Sequence, residues 1–75
     1  MNFRFKIGEL VELSAAGRKA KQNDKVYEKI GIVLRHENVE WSKYPYVIHW
    51  MNWEYGGDGT FPMKEYEIKR VRHTG

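Results

Sequence analysis

Residues 44–51, Tyr-Pro-Tyr-Val-Ile-His-Trp-Met, limit the possible folds more than any other segment of this chain. In an extended strand Tyr46, Ile48 and Trp50 lie on one face, and the residues between them lie on the other. Pro45 stands near the beginning of the run, where a missing backbone N–H is tolerated. The segment therefore predicts a β-strand, and we expect Trp50 to lie in the core.

Four further runs predict short strands, namely residues 5–13, 30–35, 60–63 and 67–71. In the first run we expect Ile7, Val11 and Leu13 on the buried side, with a bend or bulge at the glycine that follows Ile7. We expect a turn at residues 52–59, which end in Gly-Gly-Asp-Gly, and a single tight turn at residues 64–66.

Five short strands separated by turns predict an all-β protein. Closing the sheet into a barrel is the arrangement that removes exposed edges at this size. We therefore predict a single domain, residues 1–75, that forms a small five-stranded barrel. Its core is expected within residues 5–71, and residues 72–75 are expected to be a frayed tail.

A polar connection of residues 14–29 follows the first predicted strand. Ser14 can cap one short helical turn over residues 15–21, which Gly17 weakens. The Asn-Asp pair that follows is a turn signal. We expect a long loop with at most one turn of helix, and a loop of this length in so small a domain is usually functional or mobile.

The composition excludes several protein classes. A chain of 75 residues buries too little surface to enclose a deep substrate cavity. It has no cysteine, so it forms no disulfide and no cysteine metal site, which agrees with a reducing compartment. Charges recur through the first ten residues, and no apolar run approaches the roughly 20 residues of a membrane span. We therefore expect a soluble, cytoplasmic protein.

The chain contains Ile7-Gly8-Glu9-Leu10-Val11, Gly31-Ile32-Val33, Ile48-His49-Trp50, and Phe61-Pro62 followed by Tyr66-Glu67-Ile68. Together these groups resemble the SH3-like barrel superfamily, in particular its KOW/Tudor-like branch and the small SH3-like proteins of bacteriophages. The resemblance implies a non-enzymatic interaction module whose ligand site lies on loops and one barrel face, in the host cytoplasm if the protein is phage-encoded. The proline-peptide branch of the superfamily has an acidic first loop, whereas the first loop here is basic.

Basic residues are concentrated in two segments. The first connection carries Arg18, Lys19, Lys21, Lys25 and Lys29, and the C-terminal segment carries Lys69, Arg70 and Arg72. The first and last strands of an SH3-like barrel are neighbours, so the resemblance implies that the two groups flank one face. Such a surface contacts phosphates and binds nucleic acid without sequence preference and with strong salt dependence.

Aromatic residues make up 15% of the chain and are dense in its middle. Trp41, Tyr44, Trp53 and Tyr55 lie in or beside turn regions, and we expect them to bind a protein partner as interface anchors. The same rings stack on nucleobases where basic residues are close. Tyr46, Trp50 and Phe61 belong to the wider aromatic set, but a small barrel needs most of these rings to fill its core.

The charge distribution favours one of these ligands. The net charge is +3, and residues 30–63, which hold the aromatic set, carry two Lys/Arg against four Asp/Glu. An acidic aromatic segment favours a protein partner over nucleic acid. We therefore predict a protein-binding module, with nucleic-acid binding as the alternative. A third possibility is a minor structural component of a virion or larger complex that adds an edge strand to its partner. The sequence leaves the oligomeric state open.

Residues for catalysis or metal binding do not have the required spacing. The two serines have no evident His-and-acid partner. His36, His49 and His73 are far apart, and the acidic residues near His36 form only a weak local cluster. The Gly-Gly-Asp-Gly turn is not followed by Lys-Ser/Thr and so differs from a phosphate-binding loop. We expect no enzyme activity, no metal site and no cofactor.

Overall fold

A computed structural model describes residues 3–37 and 43–71. The strands are β1 (Leu10–Leu13), β2 (Gly31–His36), β3 (Tyr46–Trp50), β4 (Thr60–Met63) and β5 (Ile68–Arg70). Helix α1 (Ala15–Lys19) and a first 3-10 helix (Lys21–Val26) lie between β1 and β2, and a second 3-10 helix (Glu65–Glu67) precedes β5. The five strands form one antiparallel sheet in the order β4-β3-β2-β1-β5. The prediction of an all-β fold with five strands is confirmed.

The sheet is not closed into a barrel, so that part of the prediction is wrong. Among the described strands, β4 and β5 are the two edges and do not pair with each other. Both edges are short, and they carry features that hinder pairing with another chain: exposed Pro62 in β4 and exposed Lys69 and Arg70 in β5. Short edge strands that contain proline or charged residues resist pairing with another chain, so the sheet does not have to close into a barrel to avoid it.

The core lies on the face of the sheet that the alternation in β3 predicts. Tyr46, Ile48 and Trp50 are all fully buried, which confirms the core position of Trp50. Gly31 lies opposite Trp50 in the β2–β3 pairing, and a Cβ atom there would lie 2.4 Å from Ile48 Cγ2. The large side chains of β3 therefore occupy the space that the glycine leaves open.

The predicted burial of Ile7 is wrong, since 61% of its surface is exposed. β1 begins only at Leu10, because the residues before it form a turn in which the Glu9 N–H donates to Lys6 O (3.0 Å). Gly8 has φ +91°, which confirms a bend at this glycine. The alternation of β1 therefore does not extend back to Ile7, whereas Val11 and Leu13 are buried as expected.

The connection after β1 is helical and docked on the sheet, which corrects the prediction of a long loop. Ser14 caps α1 as predicted, because its Oγ accepts the Gly17 N–H (3.1 Å). The same Oγ donates to Tyr66 O (2.6 Å), so the cap is also tied to the second 3-10 helix. Val26 is fully buried, and Asn23 is 2% exposed. These buried side chains anchor the connection to the rest of the fold, although its sequence is mostly polar.

A buried carboxylate fixes this connection in place. Glu67 is 2% exposed, and its Oε2 accepts from Asn23 Nδ2 (2.8 Å) while its Oε1 accepts from the Lys64 N–H (2.9 Å). Asn23 Nδ2 also donates to Gly17 O (2.9 Å), and the Ser14 N–H donates to Glu67 O (2.9 Å). A buried polar group is tolerated when its hydrogen bonds are made, and this network makes them across two distant parts of the chain.

Candidate functional site

A groove with a largely apolar lining lies beside the edge strand β4. It has a volume of about 240 Å³ and is lined by Gln22, Tyr44, Phe61 and Pro62. β4 supplies Phe61 and Pro62, Tyr44 comes just before β3, and Gln22 comes from the first 3-10 helix. The groove is therefore built by three segments that are far apart in sequence, and its lining is mostly apolar.

Aromatic rings continue from this groove to the turn between β3 and β4. The Phe61 and Trp53 ring centroids are 6.3 Å apart, and Trp53 meets Tyr55 edge-on at 5.3 Å. Trp53 packs partly against the core, and its Nε1–H donates to Gly56 O. Tyr55 is 55% exposed. We call Tyr44, Phe61, Trp53 and Tyr55 the aromatic strip.

The aromatic strip brings together three of the four predicted partner-binding residues. Tyr44, Trp53 and Tyr55 belong to it, and Trp41 lies outside the described residues. Phe61, a member of the wider aromatic set, is only partly buried, and its ring lies between the groove and Trp53. The Phe-Pro pair in a short predicted strand was the available signal for it. Nothing in the sequence pointed to Gln22, because its place in the groove depends on how the first 3-10 helix docks.

Lysine side chains lie at both ends of the aromatic strip. Lys25 Nζ is 5.5 Å from the Tyr55 ring centroid. Lys64 Nζ is 5.4 Å from the Tyr44 ring centroid and 5.8 Å from that of Tyr66. A cation at this distance is attracted by the ring quadrupole, by about 0.5–1 kcal/mol at exposed sites. Part of the predicted basic loop therefore belongs to the aromatic site.

Four of the remaining predicted basic residues contact other parts of the chain. β1 pairs with β5, which confirms that the first and last strands are neighbours. Arg18 and Lys69 both lie 3.9 Å from Glu12 Oε1, and Arg70 forms an ion pair with Glu9. The remaining members of the basic set are distributed as follows: Lys29 Nζ donates to Asn52 O (2.8 Å), Lys19 and Lys21 are exposed, and Arg72 lies outside the described residues. Of the predicted basic residues, Lys25 thus lies at the aromatic strip, whereas Arg18, Lys69 and Arg70 lie beside acidic residues at the β1–β5 edge.

The turn between β3 and β4 is held by its own hydrogen bonds. The Asp58 carboxylate accepts from the Thr60 hydroxyl (2.7 Å) and the Thr60 N–H (3.0 Å), and these bonds lower the pKa of Asp58. His49 Nδ1 is hydrogen-bonded to Asp58 O (3.1 Å). Gly59 has φ +78°, and a Cβ atom there would meet the His49 ring at 2.9 Å. The predicted glycine-rich turn is confirmed, and its polar groups serve the turn itself.

Two ionisable groups near the N-terminal segment have shifted pKa values. Burial raises the pKa of Tyr46, and so does the hydrogen bond that its hydroxyl donates to Glu65 Oε2 (2.6 Å). The Lys6 N–H, together with the Arg70 guanidinium, lowers the pKa of Glu9. The pKa shift of Tyr46 reflects burial and the Glu65 hydrogen bond, and that of Glu9 reflects the Lys6 N–H and Arg70, so both shifts report on the folded geometry.

The histidines that were considered as metal ligands are used differently. His36 Nε2 is hydrogen-bonded to Phe5 O (2.7 Å), and its ring stacks on Phe3 at 3.9 Å. Among residues 3–37 and 43–71, three His, Asp or Glu side chains do not gather into a metal-binding group. His73 lies outside the described residues.

Helices within the described ranges are too short and too polar to cross a membrane.

In comparisons with known proteins, no family model, no curated protein and no solved structure matches the chain.

Proposed function

We propose that the protein is a non-enzymatic binding module that holds an extended segment of a partner protein along the aromatic strip. The observation that carries the proposal is the groove of about 240 Å³ formed by Gln22, Tyr44, Phe61 and Pro62, with further rings beside it. Aromatic side chains in a shallow groove bury a large area of ligand and lose little side-chain entropy on binding.

The edge strand β4, beside the groove, favours one backbone conformation for the bound segment of the partner protein. β4 has only four residues, and Pro62 within it has no N–H to donate. A ligand strand that added to this edge would lack one hydrogen bond of a short ladder. A polyproline II segment needs no such ladder, because its backbone is solvated and its proline rings pack between aromatic side chains. The proposed ligand is therefore proline-rich.

The charges at the ends of the aromatic strip favour acidic residues in the ligand. Lys25 lies beside Tyr55, and Lys64 lies beside Tyr44. The whole chain also carries a net charge of +3. Complementary charge of this kind increases the association rate and selects against basic ligands.

Titration of the protein with synthetic peptides tests the proposal. The first peptide contains prolines between glutamates, the second has lysines in place of the glutamates, and the third has serines in place of the prolines. Tyr44→Ala weakens binding of the first peptide, and the matched control Tyr27→Ala, at an exposed tyrosine outside the groove, leaves it unchanged. Equal binding of all three peptides, or equal loss in the two variants, contradicts the proposal.

Single-stranded nucleic acid is the second candidate ligand. The observation in its favour is the pairing of lysine with tyrosine at both ends of the aromatic strip, since stacking rings beside cations bind such strands. An oligothymidylate that displaces the acidic peptide, with affinity that falls steeply as salt increases, would favour nucleic acid over a protein segment.

The third possibility, a structural component that adds an edge strand to a partner, has less support. β5 has three residues and carries Lys69 and Arg70, and β4 contains Pro62. Both edges have features that natural sheets use to avoid such pairing. Membership of the SH3-like superfamily, phage origin and action in the cytoplasm are further proposals that rest on the sequence pattern and the absence of cysteine.

A further inference from the structure

A second cavity, on the opposite edge of the sheet, has a lining unlike that of the aromatic groove. It has a volume of about 400 Å³ and is lined by Arg4, Lys69, Arg70 and Val71. Three of these four residues are cationic, and within the part of the chain that the structure describes no acidic residue lines the cavity. The lining alone makes this a place where an anion is electrostatically favoured.

The two arginines of this cavity are held in position by contacts with the folded chain. Arg70 Nη2 donates to Arg4 O (2.7 Å), and its Nε pairs with Glu9. The guanidinium carbons of Arg4 and Arg70 lie 5.5 Å and 5.2 Å from the centroid of the buried Phe5 ring. Contacts of this kind limit the entropy that the side chains lose when they bind a ligand.

The carboxylates near this cavity do not neutralise all of its positive charge. Within residues 3–37 and 43–71 Arg4 has no ion-pair partner. Lys69 lies 3.9 Å from Glu12, and 55% of its side chain is exposed, so this ion pair is weak. Glu12 is also shared with Arg18. Only Arg70 is closely matched by a carboxylate, and an anion in the cavity therefore meets an excess of cationic groups.

We propose that this cavity binds a phosphate group through Arg4, Lys69 and Arg70. The Arg4 guanidinium has no ion-pair partner among the described residues and is suited to donate two parallel N–H bonds to phosphate oxygens, while Arg70 and Lys69 add positive charge. The proposal does not depend on peptide binding along the aromatic strip. The phosphate can belong to a free polyphosphate compound or to the backbone of a nucleic acid, and both present the same oxygen atoms to the site.

Titration with pyrophosphate at constant ionic strength, followed by the backbone amide NMR signals, tests the proposal. The expected result is saturable shifts concentrated at Arg4, Arg70 and Val71. Arg4→Gln weakens binding by at least about fivefold, as expected for the loss of a charge-assisted bidentate contact. Lys69→Gln weakens it in the same direction. Lys19→Gln, which removes the same charge from an exposed helix position, leaves binding unchanged.

A second titration with oligothymidylate identifies the source of the phosphate. If Arg4→Gln weakens oligothymidylate and pyrophosphate binding alike, the site takes nucleic-acid phosphates as well as free ones. If oligothymidylate fails to shift these signals while pyrophosphate does, the site takes free phosphate compounds. The proposal is overturned if pyrophosphate shifts do not saturate, or if Lys19→Gln weakens binding as much as Arg4→Gln. Tyr44→Ala retains pyrophosphate binding, which separates this site from the aromatic strip.

Discussion

Replacement of Gly17 by alanine would raise the helix propensity of α1, but it would also place a methyl group against the backbone of Glu67. In an exposed helix, alanine is favoured over glycine by about 1 kcal/mol, so helix propensity alone predicts that Gly17→Ala stabilises α1. In the folded protein, however, a Cβ atom on Gly17 would lie 2.1 Å from the Glu67 carbonyl oxygen and 3.0 Å from its carbonyl carbon. These are backbone atoms, which cannot rotate away as a side chain could.

The surroundings of Glu67 prevent an inexpensive adjustment. Its carboxylate is held by Asn23 and by the Lys64 N–H, and its carbonyl accepts the Ser14 N–H. Insertion of a methyl group into a packed site costs about 1–3 kcal/mol. Loss of the Ser14 hydrogen bond to Glu67 destabilises the fold by about 1 kcal/mol more. This loss cancels the gain of about 1 kcal/mol in helix propensity, so the packing cost remains. We therefore expect Gly17→Ala to lower the free energy of unfolding by about 1–3 kcal/mol.

Urea denaturation followed by tryptophan fluorescence measures this difference, since Trp50 is fully buried in the folded state. For a domain of this size each kcal/mol corresponds to about 4–8 °C in Tm. Ala16→Gly, at an exposed position of α1, is the matched control and reports the helix propensity at this site by itself. A Gly17→Ala variant as stable as the natural sequence, or more stable, would refute the close docking of α1 on the second 3-10 helix.

Four further predictions follow from buried or hydrogen-bonded side chains. Trp50→Ala lowers the free energy of unfolding by about 3–5 kcal/mol, and an unchanged urea midpoint would contradict its core position. Ser14→Ala costs about 1 kcal/mol in the same assay through loss of the helix cap, and no loss would count against that cap. The Lys6 N–H and the Arg70 guanidinium lower the pKa of Glu9 in the folded protein, so the contribution of Glu9 to stability is present above its ordinary pKa of 4.5 and is lost as pH falls. Glu9→Gln should flatten this acid dependence, and an unaltered slope would argue against these two contacts of the Glu9 carboxylate. The pKa of Tyr46 is raised above 10.0, so its contribution to stability is present below pH 10.0 and is lost at higher pH. Absorbance titration should show a late-titrating phenol that Tyr46→Phe removes, and persistence of that phenol in the variant would exclude Tyr46 as its source.

The sequence alone predicted the elements that depend on short-range patterns. The alternation in residues 44–51 located β3 and its buried face, and Ser14 marked the beginning of α1. The Gly-Gly-Asp-Gly turn and the tight turn before β5 were also visible, because the backbone conformation there depends on a few adjacent residues.

Features that depend on distant residues could not be predicted. Gly17 looked like a weak point of a helix, but the structure needs it because Glu67 packs against it. Asn23 looked like a turn residue, and its buried bond to Glu67 joins positions 44 residues apart. Ile7 fits the alternating pattern of residues 5–13, but the strand begins only at Leu10, because local hydrogen bonds form a turn before it.

The same limit applies to the two candidate sites. Tyr44, Trp53 and Tyr55 were predicted from their position near turns, but the role of Phe61 as the ring between them depends on the pairing of β3 with β4. The sequence gives no signal for Arg4 as a site residue, because its neighbours in the cavity lie at the other end of the chain. Residue types suggested the chemistry of each site, and only the fold determined which members meet.

The pairing of β1 with β5 has a consequence for synthesis of the protein in the cell. Val11 is aligned with Arg70, and the carboxylate that holds the first connection comes from Glu67. A nascent chain that has not yet released these residues from the ribosome has neither contact, so β1 lacks its β5 neighbour and α1 lacks its contact with the second 3-10 helix until translation has passed Arg70. Contacts of such long sequence separation also slow folding. Folding therefore follows synthesis of β5, and arrest before that point leaves Val11 and Leu13 available to chaperones and proteases.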